Sequence, residues 1–123
     1  MAHKGGTTGY ATITVAGQTV RSAMTLPTEG VLSDTSLPTL RELAAAIARH
    51  VVVSADGSAC AGVPGEVRPP SPGRANVEIV VLYACAGLIG RLSIRDDTAA
   101  VLGADHHTIA DITWPGGATQ VVF

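Results

Sequence analysis

What is scarce in this chain excludes much. Aromatic residues make up 3% of it, namely Tyr10, Tyr83, Trp114 and Phe123. That is too few for the stacking platforms that hold single-stranded nucleic acids or sugars. Lysine occurs only as Lys4, the arginines are scattered and the formal net charge is −2. No cationic cluster is offered to phosphates, so a nucleic-acid partner is not expected. The arginine bias suits a GC-rich bacterial genome. No apolar run approaches the ~18–20 residues of a membrane span; the longest, Ile79 to Ile89, is interrupted by Tyr83 and Gly87. Gly5-Gly6 and Gly116-Gly117 precede no helix, so the geometry of a phosphate loop is missing. There is no Gly-x-Ser-x-Gly elbow and no Cys-x-x-Cys pair. No export leader precedes Gly5, so an exported protein would have lost its leader before Ala2 and Met1 would not belong to the natural junction.

What is present is a core. Hydrophobic residues make up 46% of the 123-residue chain and charged ones 15%, which suits one folded domain and not a disordered tail. Residues 1–9 are expected to form a flexible N-terminus and residues 10–123 a single domain. Tyr10 to Ala16 alternates, with Ala11, Ile13 and Val15 on one face. Gly17-Gln18 turns it into a second strand, Thr19 to Leu26, in which Val20, Met24 and Leu26 share a face. Residues 27–38 are expected to be loop. One amphipathic helix is predicted over 39–50: Thr39 and Glu42 make a capping box, and Leu40, Leu43, Ala44, Ile47 and Val51 recur at helical spacing.

Asp56-Gly57 predicts a hairpin turn between Val51–Ser54 and Ser58–Val63. Pro64 to Gly73 is rich in proline and is expected as an extended loop or edge segment. Ala75 to Cys85 is apolar on both faces, the pattern of a central strand covered on both sides. Leu88 to Arg95 is expected as a further strand, Asp97 to Gly103 as one helical turn, and Thr108–Trp114 with Ala118–Phe123 as a closing hairpin. The fold class predicted is mostly β, an immunoglobulin-like β-sandwich with one inserted helix. An α+β fold with the helix on a single sheet is the competitor.

Candidate chemistry is thin. Cys60 and Cys85, both on strand-like segments, suggest one disulfide and an oxidising compartment. Free buried thiols and a metal or redox role are the alternatives. Asp105, His106 and His107, with Asp111 following, form the densest group of potential metal ligands. In a strand, however, adjacent histidines point to opposite faces. His3, near the N-terminus, could join the terminal amine in holding nickel or copper. His50 ends the helix, where a cation suits the dipole. Asp96-Asp97 fits a turn or helix cap better than a catalytic carboxylate pair. No catalytic residue is assigned.

Several segments together resemble a known family. Tyr10-Ala11-Thr12-Ile13-Thr14-Val15 with Gly17 and Val20, then Thr25-Leu26-Pro27, then the helix leading into Val51 to Cys60, come in its order. Tyr83-Ala84-Cys85 and Thr119 to Phe123 continue it. The chain is similar to the extracytoplasmic N-terminal domain of hydrogenase/urease accessory (HupE/UreJ-like) membrane proteins. The resemblance implies a domain that follows a signal peptide ending near an Ala-His junction and precedes a multi-helix membrane region outside this chain. It carries over Cys60 and Cys85 as a disulfide and carries over no metal ligands. The expected function is that of a non-catalytic ectodomain with a binding or structural role. The alternatives are a nickel or copper delivery module using His3 or the Asp105, His106 and His107 group, and a secreted enzyme with no recognisable site.

Overall fold

The computed structural model describes residues 7–28 and 34–123. The fold is mostly β, a sandwich with an inserted helix, as predicted. Its elements are β1 (Thr8–Ala16), β2 (Thr19–Pro27), α1 (Leu37–His50), β3 (Val51–Ala55), β4 (Ser58–Ala59), β5 (Ala61–Arg68), β6 (Asn76–Ala84), β7 (Leu92–Asp96), α2 (Ala99–Leu102), β8 (His107–Trp114) and β9 (Gly117–Val122). A six-stranded sheet runs β5-β6-β2-β1-β8-β9, and a three-stranded sheet runs β4-β3-β7.

The first hairpin has the predicted turn: Gly17 takes a φ of +61°, and Ala16 pairs with Thr19. Alternation puts Ala11, Ile13, Val15, Val20, Met24 and Leu26 into the core. Thr8 and Gly9, expected in the N-terminal tail, instead begin β1, because they extend its parallel pairing with β8 to His107 and Thr108. His3 lies outside the described residues.

The helix starts at Leu37, two residues before the predicted boundary. Pro38 sits in its first turn, where a fixed φ favours helix and a missing N–H costs nothing. The Thr39–Glu42 capping box does not form. Thr39 donates its hydroxyl to the Asp34 carboxylate at 2.7 Å, and the Ser36 N–H donates to the same carboxylate at 2.9 Å. These bonds hold the Asp34 carboxyl below the usual carboxylate range, the Thr39 hydroxyl most of all. Leu40, Ala44 and Ile47 are the buried face of α1, which packs on β5 and β6.

The Asp56-Gly57 turn has both residues at positive φ, 52° and 86°, the type I′ geometry whose twist matches a hairpin. The predicted second arm, Ser58–Val63, is divided between the sheets. β4 ends after Ala59, the Cys60 N–H makes a last bond to the Val53 carbonyl, and from Ala61 onward the chain pairs with β6. β5 is an edge strand, with a register shift between Pro64 and Val67 where proline has no N–H to offer.

β6 is not the doubly covered central strand that its composition suggests. Val77, Ile79, Val81 and Tyr83 face the core, and on the other face only Val80 is buried, beneath the bulge at Gly65, while Leu82 is 43% exposed. β7 begins at Leu92 and not at Leu88, since residues 86–91 form a loop clasped by Asp56. The Asp56 carboxylate accepts the N–H groups of Gly90 at 3.0 Å and Arg91 at 2.8 Å. Asp96 accepts from the Thr98 N–H and hydroxyl and so forms a turn just before α2, the turn being one of the two roles expected of the paired aspartates.

Cys60 and Cys85 form the disulfide, one step beyond the Ala61–Ala84 pair at the end of the β5–β6 ladder. Beside it, the Tyr83 phenol donates to the Val51 carbonyl at 3.1 Å and joins the two sheets. Its ring lies across Gly62, where an added Cβ would come within 2.7 Å of the ring and 3.5 Å of the Ala48 carbonyl on α1.

Two stability outcomes are expected. Replacing both cysteines by alanine releases a loop spanning a sequence separation of 25 and should cost about 3–4 kcal/mol in urea unfolding. Gly62→Ala should cost ~1–3 kcal/mol through overpacking, and Gly62→Ala combined with Tyr83→Leu should cost less than the sum of the single changes. Strict additivity would show that the close approach at Gly62 does not constrain the fold.

Candidate binding groove

The predicted ligand group does not converge. Asp105 and His107 are exposed, and His106 is 4% exposed with its ring turned into the fold. Its Nδ1 lies 2.8 Å from the Thr7 hydroxyl and its Nε2 3.1 Å from the Thr108 hydroxyl, so both ring nitrogens have partners. The ring rests on Gly9, where an added Cβ would come 3.2 Å from Cε1. Adjacent residues entering β8 take opposite faces, which separates His107 from His106. Among the described residues, no three His, Cys, Asp or Glu side chains gather as metal ligands. His106 is better described as a packed core histidine. Burial pushes its pKa below the ordinary value, His107 adds to that, and Asp96 opposes it.

The concave feature lies elsewhere. Between the sheets at one side of the sandwich is an open groove of about 760 Å³, within the ~300–1,000 Å³ typical of ligand sites. Its floor is the inner face of the large sheet: Val15 of β1, Ile112 and Trp114 of β8, Thr119 and Val121 of β9, and Phe123. Its wall is Leu92 and Ile94 of β7, and Leu88, Ile89 and Gly90 close one end. The lining follows from the pleat. Ile112 pairs with Thr119 and Ala110 with Val121, so every second residue of the closing hairpin faces inward.

Trp114 is 43% exposed and Leu88 76%, which leaves large apolar surfaces at the rim. The side-chain polarity of the lining amounts to the Thr119 hydroxyl and the indole N–H of Trp114. Such a surface offers dispersion and burial.

The β7 wall also carries backbone groups with no partner among the described residues. The Asp56 N–H bonds the Arg91 carbonyl and the Asp97 N–H bonds the His50 carbonyl. By strand alternation, residues 91, 93 and 95 therefore aim their backbone groups at β3. Leu92 and Ile94 aim theirs at the open edge, because β7 is outermost in its sheet. The same bookkeeping at β9, from the mutual bonds of Thr108 and Phe123, sends the backbone groups of Ala118, Gln120 and Val122 outward.

The sequence shows the ingredients of this groove but not the groove. Leu88-Ile89 reads as the start of a strand, and Trp114 as the end of a hairpin; their meeting depends on the Asp56 clasp. The chain matches no model of a known protein family and no curated protein.

The buried histidine sets a pH dependence. With its folded pKa below the unfolded value of about 6.5, native His106 binds fewer protons than the unfolded chain as pH falls past that value. Stability should therefore drop between pH 7 and pH 5, by at most ~1.4 kcal/mol per pH unit from this residue. Urea midpoints at pH 7 and 5.5 should differ more for the wild type than for His106→Gln. Equal differences would remove His106 as the cause.

Proposed function

We propose that this chain is a non-catalytic extracytoplasmic binding domain whose binding surface is the groove between β7 and the β8–β9 hairpin. The observation that carries the reading is the groove itself: an open, largely apolar concavity with large side chains left exposed at its rim. Exposed apolar patches of this kind mark interaction sites, because a soluble surface gains nothing by keeping them. The Cys60–Cys85 disulfide supports an oxidising compartment. Among the described residues no helix is long and apolar enough to cross a membrane. The resemblance to the HupE/UreJ-like ectodomain supports placing the chain next to a membrane region of a longer protein, with its groove outside the cytoplasm.

The test uses an uncharged apolar dye, N-phenyl-1-naphthylamine. The folded domain should bind it saturably at one site and shift the emission of Trp114, the chain's single tryptophan. Val121→Glu, which places a carboxylate on the groove floor, should weaken the dye at least tenfold while the circular dichroism spectrum stays unchanged. A dye that fails to saturate the folded wild type, or that binds the variant equally well, would sink the reading.

A further inference from the structure

We infer that the groove is completed by an extended segment of a partner protein, one that alternates apolar and acidic residues. It adds to the free edge of β7 as a fourth strand of the small sheet. The inference rests on the groove being the binding surface, and three observations identify the occupant.

The first is the backbone of the wall. The N–H and C=O groups of Leu92 and Ile94 face the groove side of β7 with no partner among the described residues, while the side chains of the same two residues point into the groove. A purely apolar ligand such as an acyl chain would strip water from these groups and return nothing, leaving each with the full desolvation penalty of an unpaired polar group. An extended peptide supplies the matching donors and acceptors.

The second is the pleat. A strand placed beside β7 lies ~4.8 Å away in the sheet plane and presents every second side chain to the layer below. That layer presents the half-buried Val121 and Phe123 beside the buried Ile112. Apolar side chains on the inward face of the added strand would cover them, as Leu92 and Ile94 already do beside it.

The third is charge. Ser93 and Arg95 lie on the solvent face of β7, Arg91 immediately precedes the strand, and all three are exposed. No carboxylate pairs with Arg91 or Arg95 among the described residues, the Asp56 carboxylate being taken up by backbone N–H groups. Side chains directly across a strand pair interact, so acidic residues are favoured at the outward positions of the partner strand and basic ones are disfavoured. The other edges fit less well. β5 carries Pro64 and a bulge, β4 has two residues, and β9 presents an open edge with no charged side chain on it.

The probe is a capped hexapeptide alternating valine with glutamate, titrated against the full chain with Trp114 emission as readout. Its relatives are the same peptide with lysine for glutamate, and two forms N-methylated on alternate amides. The glutamate peptide should give a saturable shift to shorter wavelength, and the lysine peptide should bind at least tenfold more weakly. Arg91→Glu combined with Arg95→Glu, both on the surface, should reverse that order. One N-methylated form should lose binding at least tenfold and the other keep it, because a single edge of the added strand meets β7.

Equal binding by the glutamate and lysine peptides, or by both N-methylated forms and the parent, would overturn the inference. A silent glutamate peptide with dye binding intact overturns the strand and leaves the groove standing, whereas loss of dye binding as well removes both. Dimers in sedimentation that exclude the peptide would assign the groove to a second copy and also overturn it.

Discussion

The structure depends on one buried contact, that of Tyr83. Its ring is buried near the end of β6, and its hydroxyl reaches the Val51 carbonyl where α1 passes directly into β3. A buried phenol needs a partner, and this one finds it on the opposite layer, so satisfying a side chain also fixes the spacing of the two sheets. Burial pushes the phenol's pKa upward, with Asp96 adding to the shift, which keeps it a neutral donor. The ring fits because Gly62 leaves room for it between β5 and α1. The disulfide then closes the same corner, where the chain leaves β4 for β5. Helix, crossover and both sheets thus meet around one side chain, and a change there is felt in every layer.

Much of the fold was legible because it rests on short-range signals. Alternation placed β1 and β2, a continuous apolar run placed β6, the Asp56-Gly57 pair placed a turn at positive φ, and the proline run from Pro64 marked an edge. Boundaries were lost where a longer-range partner decided. Pro38 outweighed the apparent Thr39–Glu42 box, since Asp34 took the Thr39 hydroxyl. β6 looked doubly buried because Val80 and Leu82 are apolar, yet a bulge in β5 covers only the first. The Asp105, His106 and His107 group looked like a ligand set, and the hydroxyls of Thr7 and Thr108, one of them 99 residues away, claim both nitrogens of His106. The groove was the least legible feature, because it is a property of how far one layer extends beyond another.

That overhang follows from counting layers. An α-helix is ~10 Å across and strands lie ~4.8 Å apart, so a helix roofs about two strands. α1 accordingly takes β5 and β6. The remaining cover is the small sheet, in which β4 contributes two residues and β3 and β7 five each. Two short strands roof about two more strands of the layer below, which accounts for β2 and β1. Cover on β8 reaches as far as the buried Ile112, and beyond it Trp114, Val121 and Phe123 are left beside an open space. A monomer that gained stability alone would end the large sheet at β1 or add a strand beyond β7. The described residues do neither, and among them the backbone of Leu92 and Ile94 is left without a partner at the place where the roof stops. On the proposed reading, the groove is the position of a missing strand, and the partner's segment would bring the roof to the width of the sheet beneath it.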